Sequence, residues 1–264
     1  MKKLVVIKLG GSVITKKSEG KLEVDAKNLK RVCREVSQAL KEGGFNLVVV
    51  HGAGPFGHVL AKKYLLAEGL RGRKQVEGMA KTHASMEKLN AAVVSALQDA
   101  GVPAIAFQPS AGGVLEDGRL VAFPLEAAKR MLEIGLVPVG YGDVLVDTTT
   151  GVNILSGDHL VPYLALELAA SRVVIATDVD GIYDGDPKDG KARRIPVITR
   201  KNIDSVRLGG SKGVDVTGGM RRKVWELLEI AGLGTSSQVV SGLKAGSVRK
   251  ALSGDNSLGT LIRG

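Results

Sequence analysis

The sequence predicts an α/β protein in which a mostly parallel sheet carries helices on both faces. Short β-rich apolar runs alternate with amphipathic stretches over nearly all of the 264 residues. Apolar residues make up 44% of the chain, enough for a substantial core. No linker, internal repeat or low-complexity tract divides it, so one continuous sheet in a single domain over residues 1–264 is expected.

Residues 4–8 read as the first strand and 25–42 as a helix, because Leu29, Val32, Cys33, Val36 and Leu40 recur at helical spacing. Cys33, the single cysteine, belongs to that core stripe, and no disulfide can form within the chain. A strand at 47–50, a long helix at 75–100 and a strand at 103–107 follow. Two segments then break the alternation. GVLEDGRLVAF (113–123) turns at Asp117-Gly118, and VLVDTTTGVNIL (144–155) has the same outline, so both read as β-hairpins. Helices at 125–134, 159–170, 219–231 and 245–252 and strands at 136–140, 172–176 and 238–240 complete the pattern.

The N-terminal MKKLVVIKLGG holds four apolar residues before Lys8, too few for a signal-peptide core, and no later run reaches membrane-spanning length, so a soluble cytoplasmic protein is expected with no membrane partner. The net charge of +10 suits an anionic small substrate better than nucleic acid. Its basic residues are scattered in short clusters, and nine aromatics form no base-stacking motif.

LVVVHGAGPFGH (47–58) carries Gly52-x-Gly54-x-x-Gly57 after a strand, the outline of a dinucleotide loop. That reading requires a second strand about twenty residues on, ending in an acidic residue. The segment found there is helical and polar, and no G-x-x-x-x-G-K-[ST] loop occurs anywhere. The glycines instead belong to a larger set of turns: KLGGSVITKK (8–17), HGAGPFGH (51–58), LSGDHL (155–160), TDVDGIYDGDP (177–187) and DVTGGMRRK (215–223). Glycine lets backbone N–H groups approach oxygens closely, and a helix N-terminus favours an anion.

Those motifs, with QPS (108–110) and VPVGYGD (137–143), resemble the amino-acid kinase superfamily and, within it, the isopentenyl phosphate kinases, over essentially the whole chain. The resemblance implies a three-layer αβα sandwich around one mainly parallel sheet, an acceptor lobe at about 1–170, an ATP lobe at about 171–264, and a homodimer. It implies phosphoryl transfer from ATP to isopentenyl phosphate, an isoprenoid monophosphate. Mg²⁺ would be carried in by ATP and bound largely by phosphate oxygens and water, because no metal-ligand cluster with Cys or His spacing exists.

By the same resemblance Lys8 and Lys223 hold ATP phosphate oxygens, Lys17 meets the transferring group, and Asp158 orients the lysines. Gly10, Gly11, Ser12, Gly54 and Gly219 join the ATP side, with Asp178, Asp180 and Tyr183 at ribose and adenine; Ala53, Gly54, Gly157 and His58 face the acceptor. An acceptor that already carries phosphate gives His58 a purpose, since imidazole titrates near neutrality and can donate to that phosphate. His51, at a strand end, reads as structural; His83 and His159 stay open. Met79, His83 and Met86 fall on one helix face and either line an apolar tail pocket or belong to the ordinary core. Two other activities also stay open: a fosfomycin-kinase-like enzyme for another small phosphate or phosphonate, and a non-catalytic nucleotide-binding or oxyanion-storage protein of the same fold.

Overall fold

The computed structural model describes residues 2–16, 22–187, 190–204 and 219–264. The chain begins with strand β1 (Lys3–Leu9), a single-turn helix α1 (Gly11–Ile14) and helix α2 (Ala26–Glu42), whose first turn is capped by Asp25 accepting from the Asn28 N–H at 3.0 Å. β2 (Phe45–His51) leads through a glycine loop into α3 (Gly54–Lys63), which has Pro55 in its first turn, and then into the long α4 (Arg73–Asp99). β3 (Ala104–Ala106), β4 (Val114–Glu116) and β5 (Arg119–Ala122) precede α5 (Glu126–Glu133). β6 (Val137–Tyr141), β7 (Asp143–Asp147) and β8 (Gly151–Leu155) run into α6 (Gly157–Glu167). The remainder comprises β9 (Arg172–Thr177), β10 (Val197–Ile198), α7 (Gly219–Gly232), β11 (Ser236–Ser241), α8 (Ser247–Leu252) and β12 (Thr260–Ile262).

Eight strands form the main sheet in the order β10-β12-β11-β9-β1-β2-β6-β3. From β11 to β3 every pairing is parallel, and β12 joins β11 antiparallel. Alternate residues of β1 explain the layering. Val5, Ile7 and Leu9 pack with α2, α4 and α8, whereas Leu4 and Val6 pack with α5, α6 and α7 on the opposite face. The result is the expected three-layer sandwich.

All the strands and helices read from periodicity are present, and both hairpins form. The expectation of one continuous sheet needs correction, because β4–β5 and β7–β8 build a separate sheet of order β5-β4-β7-β8. The chain leaves the main sheet at Gly142, whose N–H donates to the His51 carbonyl at 3.1 Å, and β7 then pairs antiparallel with β8. Asp147 ties the hairpins together: its carboxylate accepts from the N–H of Gly118 at 2.7 Å and of Thr149 and Thr150 at 2.9 Å each. Burial acts to raise its pKa, but these backbone donors outweigh burial and leave it at about 2.

A second carboxylate joins the two ends of the sequence. Glu35 of α2 is 6% exposed and accepts from the N–H groups of Gly246, Val248 and Arg249 at 2.9, 3.0 and 3.2 Å, capping α8 from another helix.

Candidate active site

The two-residue period of β1 puts Lys8 on the same face as Leu4 and Val6, toward α6 and α7. Its Nζ donates to Asp158 Oδ1 at 2.5 Å, and Lys223 Nζ of α7 lies 3.6 Å from Asp158 Oδ2. Three elements far apart in sequence therefore converge on one carboxylate. Burial favours the neutral acid, but Lys8 and then Lys223 hold Asp158 below the ordinary carboxylate value. Asp158 stands in the first turn of α6, where the Ser156 hydroxyl caps the His159 N–H at 3.3 Å. A side chain at Gly157 would press on Lys8, its Cβ lying 3.3 Å from Lys8 Cε.

The glycine turns after β1 and β2 interlock. A Cβ on Gly52 would sit 2.7 Å from the Gly11 nitrogen, and one on Gly11 would strike the backbone of Gly54. The loops therefore approach backbone to backbone, bringing the start of α1 against that of α3. A cleft of about 110 Å³ opens beside them, with Lys8, Asp158 and Lys223 among its polar walls and Ile182, Val224 and Leu227 among its apolar ones.

Charge set on a parallel sheet beside glycine loops accords with the sequence match, in which the model of the amino acid kinase family covers residues 3–241. The chain belongs to the amino acid kinase family. It is similar to the isopentenyl phosphate kinase of Methanothermobacter thermautotrophicus, 36% identical over 99% of each chain. It is also similar to that of Methanocaldococcus jannaschii, 37% identical over 96% of each chain. A solved amino acid kinase structure, described as X-ray structures of isopentenyl phosphate kinase, matches with a TM-score of 0.85 and 34% identity, covering 98% of this chain and 99% of that one.

Of the residues expected to serve an amino acid kinase, Lys8, Gly10, Asp158 and Lys223 line the cleft together. Gly11 and Ser12 open α1, Ala53 and Gly54 stand at the start of α3, and Gly219 begins α7. Asp178 and Asp180 lie exposed after β9, and the Tyr183 hydroxyl donates to Asp180 at 2.5 Å. Lys17 and residues 215–218 of the DVTGG turn lie outside the described residues. His58 is exposed on α3, one residue beyond Gly57, under which the Met86 sulfur packs. Met86 itself is 1% exposed in the main core, and Met79 packs at the edge of a smaller cluster with Tyr64 and Val144.

His51 is fully buried and stacks on Tyr141 with ring centroids 5.4 Å apart. Nδ1 donates to the Gly52 carbonyl and Nε2 accepts from Asn90, each at 3.1 Å, and burial lowers its pKa to about 4. It is a neutral structural residue under the second glycine loop.

Sequence reasoning gave no individual role to Gln108, Ser110 or Asp143, which the structure gathers around His83. His83 Nδ1 donates to Asp143 at 2.9 Å, and Gln108 Nε2 donates to His83 Nε2 at 3.1 Å. Ser110 Oγ lies 3.3 Å from His83 Nδ1. Burial raises the Asp143 carboxyl against these partners. No local spacing could reveal the group, since Asp143 stands 60 residues from His83. His159 meets Glu226 of α7, Nε2 to Oε1 at 3.4 Å.

Proposed function

We propose that this amino acid kinase transfers the γ-phosphoryl group of ATP to the phosphate of isopentenyl phosphate, giving isopentenyl diphosphate and ADP. The observation that carries the reading is the convergence of Lys8 and Lys223 on Asp158, in a chain that matches isopentenyl phosphate kinases along nearly its whole length. The reaction breaks the bond from the γ-phosphorus to the β–γ bridging oxygen and forms one to an acceptor phosphate oxygen. That oxygen is already anionic near neutral pH, so no general base is needed. The difficulty is repulsion between two phosphates, and positive charge along the transfer path relieves it.

In this reading Lys8 and Lys223 move from Asp158 to nucleotide phosphate oxygens, and Asp158, flanked by cations, orients them. Lys17 meets the group in flight. Backbone amides of Gly10, Gly11, Ser12 and Gly219 approach the nucleotide, with Asp178, Asp180 and Tyr183 at ribose and base. Ala53, Gly54, Gly157 and His58 hold the acceptor phosphate, with Met79 and His83 toward its tail and Met86 supporting Gly57 from the core. Residues 1–170 form the acceptor lobe and 171–264 the nucleotide lobe, and the active form is a homodimer in the cytoplasm.

Among the described residues no group of three His, Cys, Asp or Glu side chains could hold a metal. Mg²⁺ fits as a passenger of ATP, held by phosphate oxygens and water, where it would offset phosphate charge. Also among the described residues, no helix is long and apolar enough to cross a membrane.

A coupled ATP assay across isopentenyl phosphate, dimethylallyl phosphate, fosfomycin, UMP, acetylglutamate and carbamate tests the reading. The isoprenoid monophosphates should give the highest kcat/KM. Preference for any of the others would overturn the substrate assignment.

A further inference from the structure

Transfer between two bound phosphates depends on how the loops that hold them are set against each other, because a misplacement of about 1 Å can cost about 10²-fold in rate. The two glycine loops meet backbone to backbone at Gly11 and Gly54, and neither glycine has a side chain to fix their alignment. One buried side chain touches both. Thr15, the residue just past α1, is 4% exposed, and its Oγ1 donates to the Gly11 carbonyl at 2.7 Å.

That carbonyl also accepts from the Thr15 N–H at 3.0 Å. Two donors from one residue thus hold the peptide plane between Gly11 and Ser12, and planarity turns the Ser12 N–H the opposite way, away from Thr15. An amide offered to nucleotide in the proposed reaction is thereby aimed. A threonine that bonds back to the carbonyl four residues earlier is by itself ordinary helix behaviour. Its contact with the other loop is not. Gly54 has φ +49°, and a Cβ built there would run into Thr15 Oγ1 and lie 3.2 Å from Thr15 Cγ2, so the threonine fills the space that a side chain on the acceptor loop would need. Thr15 is itself anchored. The Asp25 N–H donates to the Ile14 carbonyl at 2.9 Å, Thr15 bridges to Val24, and the Asn28 amide donates to the Val13 carbonyl at 2.7 Å.

We propose that Thr15 is a positioning residue that aligns the nucleotide-side loop, Gly10 to Ser12, with the acceptor-side loop at Ala53 and Gly54, so that the two phosphates meet in line. The inference rests on the reading of those loops as holders of nucleotide and acceptor.

The test compares Thr15→Ala, Thr15→Ser, Thr15→Val, Gly54→Ala and the double Ala variant by initial-rate kinetics in both substrates, ADP calorimetry and thermal melts, with kcat expressed per folded enzyme. Misaligned loops can each still hold their own phosphate, so the loss should fall on kcat. Thr15→Ala should lower kcat by about 100-fold, the scale of a small misplacement. The KM for ATP, the KM for isopentenyl phosphate and the ADP affinity should stay within about threefold, as expected when ground-state contacts survive. Thr15→Val keeps bulk against Gly54 without the hydroxyl, and Thr15→Ser keeps the bond to Gly11 without the methyl, so each should fall between wild type and Thr15→Ala. In the double variant the cost of Gly54→Ala should shrink, because the side chain it collides with is gone.

A kcat for Thr15→Ala within about twofold of wild type overturns the proposal, whatever happens to the melting temperature. Full recovery in Thr15→Ser or Thr15→Val alone also overturns it, since one loop contact would then suffice, and so does strict additivity with Gly54→Ala. The wild type separates the two levels. If it phosphorylates no isoprenoid monophosphate, the function reading has failed and the positioning role falls with it; if it does so while Thr15→Ala keeps its kcat, only the positioning role has failed.

Discussion

At the proposed nucleotide end, Asp158 lies between Lys8 at 2.5 Å and Lys223 at 3.6 Å, and the two cations hold its carboxyl below the ordinary range. At the start of β7, Asp143 is 3% exposed, accepts from His83 at 2.9 Å and is pushed upward by burial. The first carboxylate keeps partners that a phosphate can take from it: both are long flexible cations, and the site lies in an open cleft. The second has its partners on the long helix α4 and on the turn that follows β3. His83, Gln108 and Ser110 are half-buried, with no competing cation among the contacts described above, so the group behaves as a clamp between α4 and β7. Exchangeable charge at Asp158 and locked polarity at Asp143 thus belong to different elements, α6 and β7.

The largest effects should come from the exchangeable side. Lys8→Ala is expected to lower kcat by about 10²–10³-fold, the scale for removing one preorganised donor to developing charge, with a circular dichroism spectrum like the wild type. Lys17→Ala should lower kcat on the same scale of about 10²–10³-fold with little change in the KM for ATP, since its partner is the group in flight. A collapse of ATP binding with kcat intact at saturation would misplace Lys17.

His58 should give an intermediate effect. A charge-assisted bond to the acceptor phosphate is worth roughly 1.5–3 kcal/mol, so His58→Ala should weaken isopentenyl phosphate about 10- to 100-fold in calorimetry and leave ATP nearly unchanged. A bound dianion raises the imidazole pKa, so the contribution is full below the free-enzyme pKa and fades as pH rises through the raised value in the complex. His58→Gln should keep part of the affinity and lose that pH dependence. Equal acceptor affinity in all three proteins would move the phosphate contact elsewhere.

The locked side should show mainly in stability. Asp143→Ala leaves His83 without its acceptor and should cost about 1–3 kcal/mol in urea unfolding, with the KM for ATP unchanged. A change in nucleotide KM without loss of stability would erase the contrast between the two centres.

The smallest effect lies in acid, at the two ends of β7. Asp147 has a depressed pKa of about 2, so its contribution is present above the unfolded value and lost as pH falls through about 2. Asp143 is shifted upward, so protonation there favours the folded state as pH falls. Asp147→Asn should flatten the acid limb of the melting-temperature profile between about pH 2 and pH 5, while Asp143→Asn should steepen it.

Strands and helices were legible in the sequence because their cause is local. Val5, Ile7 and Leu9 alternate with Leu4 and Val6, and Leu29, Val32, Cys33 and Val36 recur with the helix period. The second sheet was not legible, because both hairpins can be read locally but their join, Leu115 against Asp147, is a long-range pairing. Lys8, Asp158 and Lys223 were available through motif resemblance, and the face on which Lys8 lies follows from strand alternation. The His83 group and the His159–Glu226 approach were hidden for a common reason: each depends on which faces of distant elements meet.

β1 lies between β2 and β9 in the main sheet, although it is the first strand made and β9 begins at Arg172. During synthesis its β9-facing edge stays unpaired until that later strand emerges, and Lys8 waits for a carboxylate 150 residues downstream. A nascent chain halted before β9 therefore presents an apolar strand edge, the kind of surface that chaperones shield and that aggregates recruit. Truncation or a ribosomal pause between β8 and β9 should be more hazardous to solubility than one after β11, when both neighbours of β1 are in place.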